Sequence, residues 1–186
     1  SQGRCETSNL LVATSVWGTP QLARLGIDVP VRPHIAQMAF FHVPTGSGQR
    51  LRTTLFDSRA GLYMRPEGTA QMFVGRKERD FHDPDGPLVD PDDYKQTAEY
   101  GAVERMHAGL SITLPSMRDG FVHRTYACTY DVTPDEMPIL EQAGGIDGLF
   151  FAVGFSGGGF SAAPWVGRRM AELITSGEKP REIEPF

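Results

Sequence analysis

The sequence has little of what a disulfide-stabilised or membrane-spanning protein needs. It contains two cysteines, Cys5 and Cys128, in 186 residues, too few for a disulfide framework or a cysteine-based zinc site. A single bridge between them stays open, but reduced thiols in a cytoplasmic compartment are the expectation. Apolar runs such as 149–155 are far shorter than the about 20 residues of a membrane-spanning helix, and no signal peptide is evident near the start. We therefore expect a soluble chain.

Basic residues and metal-binding patterns are also scarce. Lys and Arg number 18 against 23 Asp and Glu, without a basic run, so neither a nucleic acid nor an anionic membrane is an expected partner. No two histidines have the spacing of a helical metal site, so no metal is expected. The five histidines are His34, His42, His82, His107 and His123. There is no G-x-x-x-x-G-K-[ST] phosphate loop.

The remaining pattern predicts an α/β (α+β) protein. Short apolar or β-branched runs bounded by turn residues predict strands at 8–14, 35–43, 53–56, 61–64, 70–75, 120–129 and 149–154. Helices are predicted at 21–25, at 90–109 with Asp90 as the cap, and at 161–176 ending at Gly177. Pro66–Gly68 is predicted as a turn, 80–92 as a surface loop and 134–140 as extended chain. Two pieces of a parallel sheet thus flank a β-rich insert.

A glycine-rich turn is the first segment that suggests chemistry. Ser156, Gly157, Gly158 and Gly159 join the buried strand 149–154 to the last helix. The N-terminus of a helix presents free N–H groups that hold anions, and glycines let a flat ligand approach the backbone closely. The same three glycines are also compatible with an ordinary tight turn.

A second segment precedes that turn in the sequence. Thr133, Pro134 and Asp135 predict a tight turn after the strand that ends near residue 129. Cys128 and Tyr130 lie two residues apart on an extended run, so both face the same side and could border one ligand. The alternative is that both simply pack within the sheet.

Together these segments resemble a known family. Thr133-Pro-Asp-x-x-Pro-Ile-Leu140, followed by Gly148-Leu-Phe-x-Ala-x-Gly-Phe-Ser-Gly-x-Gly-Phe160, resembles the C-terminal half of the FAD-dependent amino-acid oxidoreductases. That family includes D-amino-acid oxidase, glycine oxidase and monomeric sarcosine oxidase. Segments 11–18, 32–37 and 63–68 are similar to further parts of it, in the same order. The resemblance implies a Rossmann-like FAD-binding domain in residues 1–30 and 134–186 and a β-rich substrate domain with a mixed or antiparallel sheet in residues 31–133.

The resemblance also implies a function and a site. It implies oxidation of the C–N bond of an amino acid or a secondary or N-methylated amine, with hydride transfer to FAD. Tyr130 matches a tyrosine that borders the substrate, and Cys128 matches the cysteine that carries the flavin covalently in sarcosine-oxidase-like members. The turn lies along the flavin ring in the family, where the N–H groups of its glycines would stabilise negative charge. The implied cofactor-binding residues are Cys128, Phe155, Ser156, Gly157, Gly158, Gly159, Phe160 and Ser161.

Several departures from the family pattern leave alternatives open. Gly158 and Ser161 stand where sarcosine oxidases have His and Lys, and no lysine occupies 61–64, so both an oxidase and a dehydrogenase fit. The G-x-G-x-x-G turn for the FAD pyrophosphate is absent. We therefore expect a C-terminal portion that pairs with a missing N-terminal half of the same protein. A flavin-free interaction module is the alternative of a different class. Arg65 and Arg124 are residue types that could bind a carboxylate.

Overall fold

A computed structural model describes residues 3–46, 51–76 and 89–186 of the chain. By their contacts the described residues form two compact units. The first unit comprises those within Ser1–His34, Pro84–Pro91 and Tyr130–Phe186, and the second those within Ile35–Asp83 and Asp92–Thr129. Each unit is thus built from segments that are separated in the sequence. The assignment of FAD-binding and substrate-binding domains to residue ranges stays a prediction.

The described residues contain eight strands and three α-helices. The strands are β1 (Leu10–Val12), β2 (Arg32–His42), β3 (Leu55–Asp57), β4 (Leu62–Glu67), β5 (Gln71–Arg76), β6 (Phe121–Val132), β7 (Ile139–Gln142) and β8 (Leu149–Val153). The helices are α1 (Gly18–Ala23), α2 (Tyr100–Thr113) and α3 (Gly159–Ser176). The seven predicted strands and the last helix are confirmed, with small shifts at their ends, and Gly177 ends α3 in the left-handed conformation as expected.

The first unit has a sheet of three strands in the order β1-β8-β7. β1 pairs with β8 in parallel, and β7 pairs with β8 antiparallel. Every residue of β8 is buried because both faces are covered, which explains its continuous apolar sequence. Phe151 and Val153 pack with Leu22 of α1, whereas Phe150 packs with Met170 of α3.

The second unit has a sheet of five strands in the order β3-β4-β5-β2-β6. The pairs β3–β4, β4–β5 and β5–β2 are antiparallel. α2 packs on one face and contributes Ala102, Met106 and Leu110, which lie four residues apart and therefore form one stripe. They meet Phe41 and Met64, whose side chains alternate along β2 and β4 toward this helix.

The predicted helix at 90–109 begins in the wrong place. Asp90 does not cap it: α2 starts at Tyr100. The preceding segment is instead bonded to the sheet, because the main-chain oxygen of Gln96 accepts the N–H of Ala127 at 2.9 Å and the N–H of Glu99 donates to the side chain of Gln37. These long-range hydrogen bonds override the local preference of Asp90 and the proline after it for a helix start.

Two smaller expectations also differ from the structure. Pro66 and Glu67 are not in a turn but continue β4, and the chain turns at Gly68, whose φ is +61°. β3 pairs with β4 only as far as Met64, so the missing N–H of Pro66 is tolerated beyond that point. The segment 134–140 is extended only from Ile139, because the N–H of Glu136 closes a turn onto the oxygen of Thr133 at 3.2 Å. Of the loop predicted at 80–92, residues 80–88 lie outside the described residues.

Among the described residues, no helix combines the length and the apolar character needed to cross a membrane.

Candidate functional site

The end of β6 and the turn after β8 are joined by a buried carboxylate. Asp131 is 5 % exposed, and its Oδ2 accepts the N–H of Gly154 at 2.7 Å. Its main-chain oxygen accepts the N–H of Ser156 at 2.9 Å. Both bonds lie within the first unit. A carboxylate that accepts backbone N–H groups in a buried place is a strong anchor, so Asp131 holds the start of the turn.

The backbone of this turn is left-handed at three positions. The φ angles of Gly154, Ser156 and Gly157 are +77°, +50° and +85°. Ser156 is the unusual member, because a residue with a Cβ pays an energetic cost in this region. Its hydroxyl oxygen accepts the N–H of Thr133 at 3.3 Å, which holds the serine in place. Non-glycine residues in this conformation are concentrated at functional sites.

Tyr130 lies against the glycine turn. A Cβ added to Gly157 would lie 2.8 Å from Cε2 of the Tyr130 ring, so the ring occupies the space that any larger residue would need. Tyr130 is partly buried, next to Asp131 on β6. The structure therefore brings together the predicted catalytic residue Tyr130 and the predicted cofactor-binding residues Ser156 and Gly157.

The glycines do not all offer a free donor. The N–H of Gly158 donates to the oxygen of Phe155 at 2.8 Å, so the expectation that it stabilises a ligand's negative charge is wrong for this residue. Gly158 is the N-cap of α3 and supplies no side-chain bond to the first turn. The first N–H groups of any helix have no intrahelical partner, so those of Gly159, Phe160 and Ser161 remain for a ligand.

The side chains around the start of α3 differ in their roles. The Phe155 ring lies 3.2 Å from a Cβ built on Gly159 and packs on the core between the sheet and α3. The hydroxyl of Ser161 donates to the oxygen of Gly158 at 3.0 Å. Phe160 is 98 % exposed. Phe155 thus packs between the turn and the core, and the exposed ring of Phe160 is free to contact a ligand at the start of α3.

Cys128 belongs to the second unit, two residues before Tyr130 on β6. It is half-buried and free, and burial raises the pKa of its thiol. A neutral thiol is a poor nucleophile, so the protein around Cys128 does not by itself activate it. Cys5 is also free.

Sequence reasoning missed Asp131. The only local signal was an acidic residue between Tyr130 and Val132, and an acidic residue in a strand is more often exposed. No group of three or more His, Cys, Asp and Glu residues able to hold a metal occurs in the described ranges.

The fold and the site define an α/β protein whose strand–glycine turn–helix junction has an uncapped helix start and an aromatic residue at its side. These residues fit the flavin ring of FAD, because N–H donors suit its anionic edge and the glycines leave room for a flat group. Residues 1–173 match the family model described as FAD dependent oxidoreductase (DAO). The chain belongs to this family.

Individual proteins agree with that membership. The chain is 30 % identical over 166 residues to FAD-dependent oxidoreductase domain-containing protein 1 of Mus musculus, covering 87 % of this chain and 32 % of the mouse protein. It is 24 % identical over 194 residues to monomeric sarcosine oxidase of Bacillus sp. (strain NS-129), covering 100 % of this chain and 48 % of that protein.

A crystal structure of iminodiacetate oxidase from Chelativorans sp. BNC1 superposes with a TM-score of 0.74 and 26 % identity. That match covers 96 % of this chain and 45 % of the oxidase. The chain thus spans less than half the length of each of these three proteins.

Proposed function

We propose that this chain is part of a flavoenzyme that oxidises the C–N bond of an amino acid or a secondary amine. Membership of the FAD dependent oxidoreductase family supports FAD as the cofactor. The names of two similar proteins, monomeric sarcosine oxidase and iminodiacetate oxidase, support the substrate class, because sarcosine and iminodiacetate are both secondary amines that carry carboxylates.

One observation carries the proposal for this chain: Tyr130 lies directly against a glycine turn whose helix start is uncapped. The first N–H groups of α3 would hold the polar edge of the flavin, and Asp131 and Ser156 would keep the turn in shape. Tyr130 would border the substrate and donate a hydrogen bond from its phenol. When bound, FAD supplies the acceptor for the hydride that leaves the substrate.

Cys128 has two proposed roles, of which one must be chosen by experiment. It carries the flavin covalently, as its match to sarcosine oxidases implies, or it is a small apolar residue of β6. Its raised pKa and partial burial favour the inert thiol, because a thiolate is needed for attack. Acid denaturation of the flavin-bound protein separates the two roles. If Cys128 carries the flavin, the yellow colour stays with the precipitated wild-type protein and is released from Cys128→Ala; if Cys128 is inert, the wild-type protein releases it too.

The partner that we propose is an N-terminal half of the same protein. This chain has no G-x-G-x-x-G turn, and its relatives are more than twice as long. Residues outside the chain would hold the FAD pyrophosphate on a helix start of their own. We further propose a reducing compartment such as the cytoplasm, which the free state of Cys5 and Cys128 supports.

The test uses the natural full-length protein and its visible absorbance. We expect bound flavin, and we expect its absorbance to bleach when N-methylglycine, iminodiacetate or another amino acid is added without oxygen. Peroxide formation in air then separates an oxidase from a dehydrogenase. A colourless protein that takes up no FAD would contradict the proposal and favour a flavin-free interaction module.

A matched pair of variants tests the site itself. Gly157→Ala places a Cβ against Tyr130 at a φ of +85° and should weaken FAD binding. Gly145→Ala has a similar φ of +82°, with nothing within 4 Å of its added Cβ, and should leave FAD binding unchanged. Equal FAD affinity in the two variants would place the flavin elsewhere.

A further inference from the structure

The seven methionines of the chain differ sharply in their exposure to solvent. Met137 is 45 % exposed and belongs to the first unit, where it lies in the turn between β6 and β7. The other six are buried, each at most 3 % exposed, and they are Met38, Met64, Met72, Met106, Met117 and Met170. The chain therefore presents a single thioether to the solvent.

The backbone around Met137 is held without the help of its side chain. The N–H of Met137 donates to Oδ1 of Asp135 at 3.0 Å, and its main-chain oxygen accepts the hydroxyl of Thr133 at 2.7 Å. The N–H of Glu136 donates to the main-chain oxygen of Thr133 at 3.2 Å, which closes the turn. None of these hydrogen bonds uses the thioether, so a chemical change at its sulfur leaves them in place.

An exposed thioether reacts with a hydroperoxide. The sulfur attacks one oxygen of hydrogen peroxide, the O–O bond breaks, and the transferred oxygen becomes that of methionine sulfoxide. Its proton passes to the leaving hydroxide, which departs as water. The sulfur loses the two electrons that the peroxide gains, so no further reactant is needed. Charge develops on the leaving oxygen and is costly outside water, so a sulfur in contact with water reacts more readily than a buried one.

A buried methionine of the same unit differs from Met137 in two ways. Met170 packs with Leu140 and Phe150 in the core between the sheet and α3, where dense packing leaves little room for a peroxide. A sulfoxide at Met170 would also place a polar group without a partner in an apolar cluster. At Met137 the sulfoxide oxygen would be solvated by water, so oxidation there carries no such cost.

We propose that Met137 is a reversible oxidation site, at which a hydroperoxide transfers one oxygen to the sulfur, and that the first unit keeps its fold with the sulfoxide in place. Tolerance matters at this position because Thr133 of the same turn also bonds Ser156 of the glycine turn. An exposed sulfoxide is accessible to the methionine sulfoxide reductases, which return it to the thioether. The inference depends on the exposure of one side chain and not on flavin, so it stands apart from the proposed function.

The experiment treats the natural full-length protein with hydrogen peroxide and follows each methionine by peptide mass spectrometry. We expect the peptide that contains Met137 to gain one oxygen at least about 10-fold faster than the peptide that contains Met170, the matched buried residue. Met137→Leu should remove the fast reaction and leave the rate at Met170 unchanged. Methionine sulfoxide reductases of both stereospecificities, with a thiol reductant, should return the Met137 peptide to its original mass.

The urea midpoint of unfolding measures the tolerance. Protein that is oxidised only at Met137 should have the midpoint of the untreated protein, and a clearly lower midpoint would overturn the claim that the fold is kept. Oxidation of Met137 no faster than that of Met170 would overturn the site itself, including the case in which another part of the full-length protein covers it. Because the peroxide is added directly, both readouts are independent of whether the protein binds FAD or oxidises an amine.

Discussion

Replacing Gly154 by alanine should destabilise the first unit much more than its backbone angle alone predicts. The φ of Gly154 is +77°, and an added Cβ would lie 2.4 Å from Cγ2 of Thr133, a residue that is 1 % exposed. The left-handed backbone costs an alanine about 1–2 kcal/mol. Forcing a methyl group into a packed site adds about 1–3 kcal/mol.

A smaller effect acts in the other direction. Alanine restricts the unfolded chain relative to glycine, which returns about 0.4–1 kcal/mol. The free energy of unfolding should therefore fall by about 2–4 kcal/mol, a large part of the about 5–15 kcal/mol of a typical domain. Gly26→Ala is the matched control, because its φ is +79° and nothing lies within 4 Å of the added Cβ. Gly26→Ala should lower the free energy of unfolding by about 1 kcal/mol, since only the left-handed backbone and the restricted unfolded chain affect it.

The natural tryptophans provide the assay. Both of them, Trp17 and Trp165, belong to the unit that contains Gly154, so their fluorescence during urea unfolding reports on that unit. The urea midpoint should shift clearly further for Gly154→Ala than for Gly26→Ala. Equal shifts in the two variants would refute the close packing of Thr133 on this glycine.

Three further predictions concern titratable groups. Asp131→Ala should destabilise the first unit by about 1–3 kcal/mol in urea unfolding, because it leaves the N–H of Gly154 unpaired. Asp131→Asn keeps an acceptor and should cost less. The reverse order would contradict the anchoring role of Asp131. The hydroxyl of Thr113 donates to Asp57 and, with the N–H of Ala60, lowers the pKa of that carboxyl. The ionised carboxyl therefore stabilises the folded protein above the ordinary carboxyl pKa, and this contribution is lost as the pH falls through the lowered value. Thr113→Val should raise the pKa of Asp57, as measured by NMR titration of the carboxyl carbon, and an unchanged value would exclude the bond. Burial raises the pKa of the Cys128 thiol, so iodoacetamide at neutral pH should modify the exposed Cys5 first and Cys128 only slowly. The rate at Cys128 should increase when the pH rises above the ordinary thiol pKa. Modification of Cys128 faster than Cys5 would indicate an activated thiolate.

The site was only partly predictable. The glycine turn and Tyr130 were identified because their motifs are contiguous in the sequence. Asp131 was not, because its bond to Gly154 joins residues 23 positions apart that meet only in the folded first unit. The roles of Phe155 and Gly158 also needed coordinates, since one supports the turn and the other closes it with its own N–H.

The sequence by itself determined where most strands lie and where α3 ends, because alternation, a continuous apolar run and a C-terminal glycine act within a few residues. Tertiary structure alone decided where α2 begins, because Gln96 and Glu99 bond to distant strands. Tertiary structure also decided that Arg124 and Arg65 have different surroundings. The two arginines look alike in the sequence, and only the packing of the sheet places one on Phe40 and the other beside Glu67 on Phe73. Cross-strand neighbours depend on register, which short-range patterns do not encode.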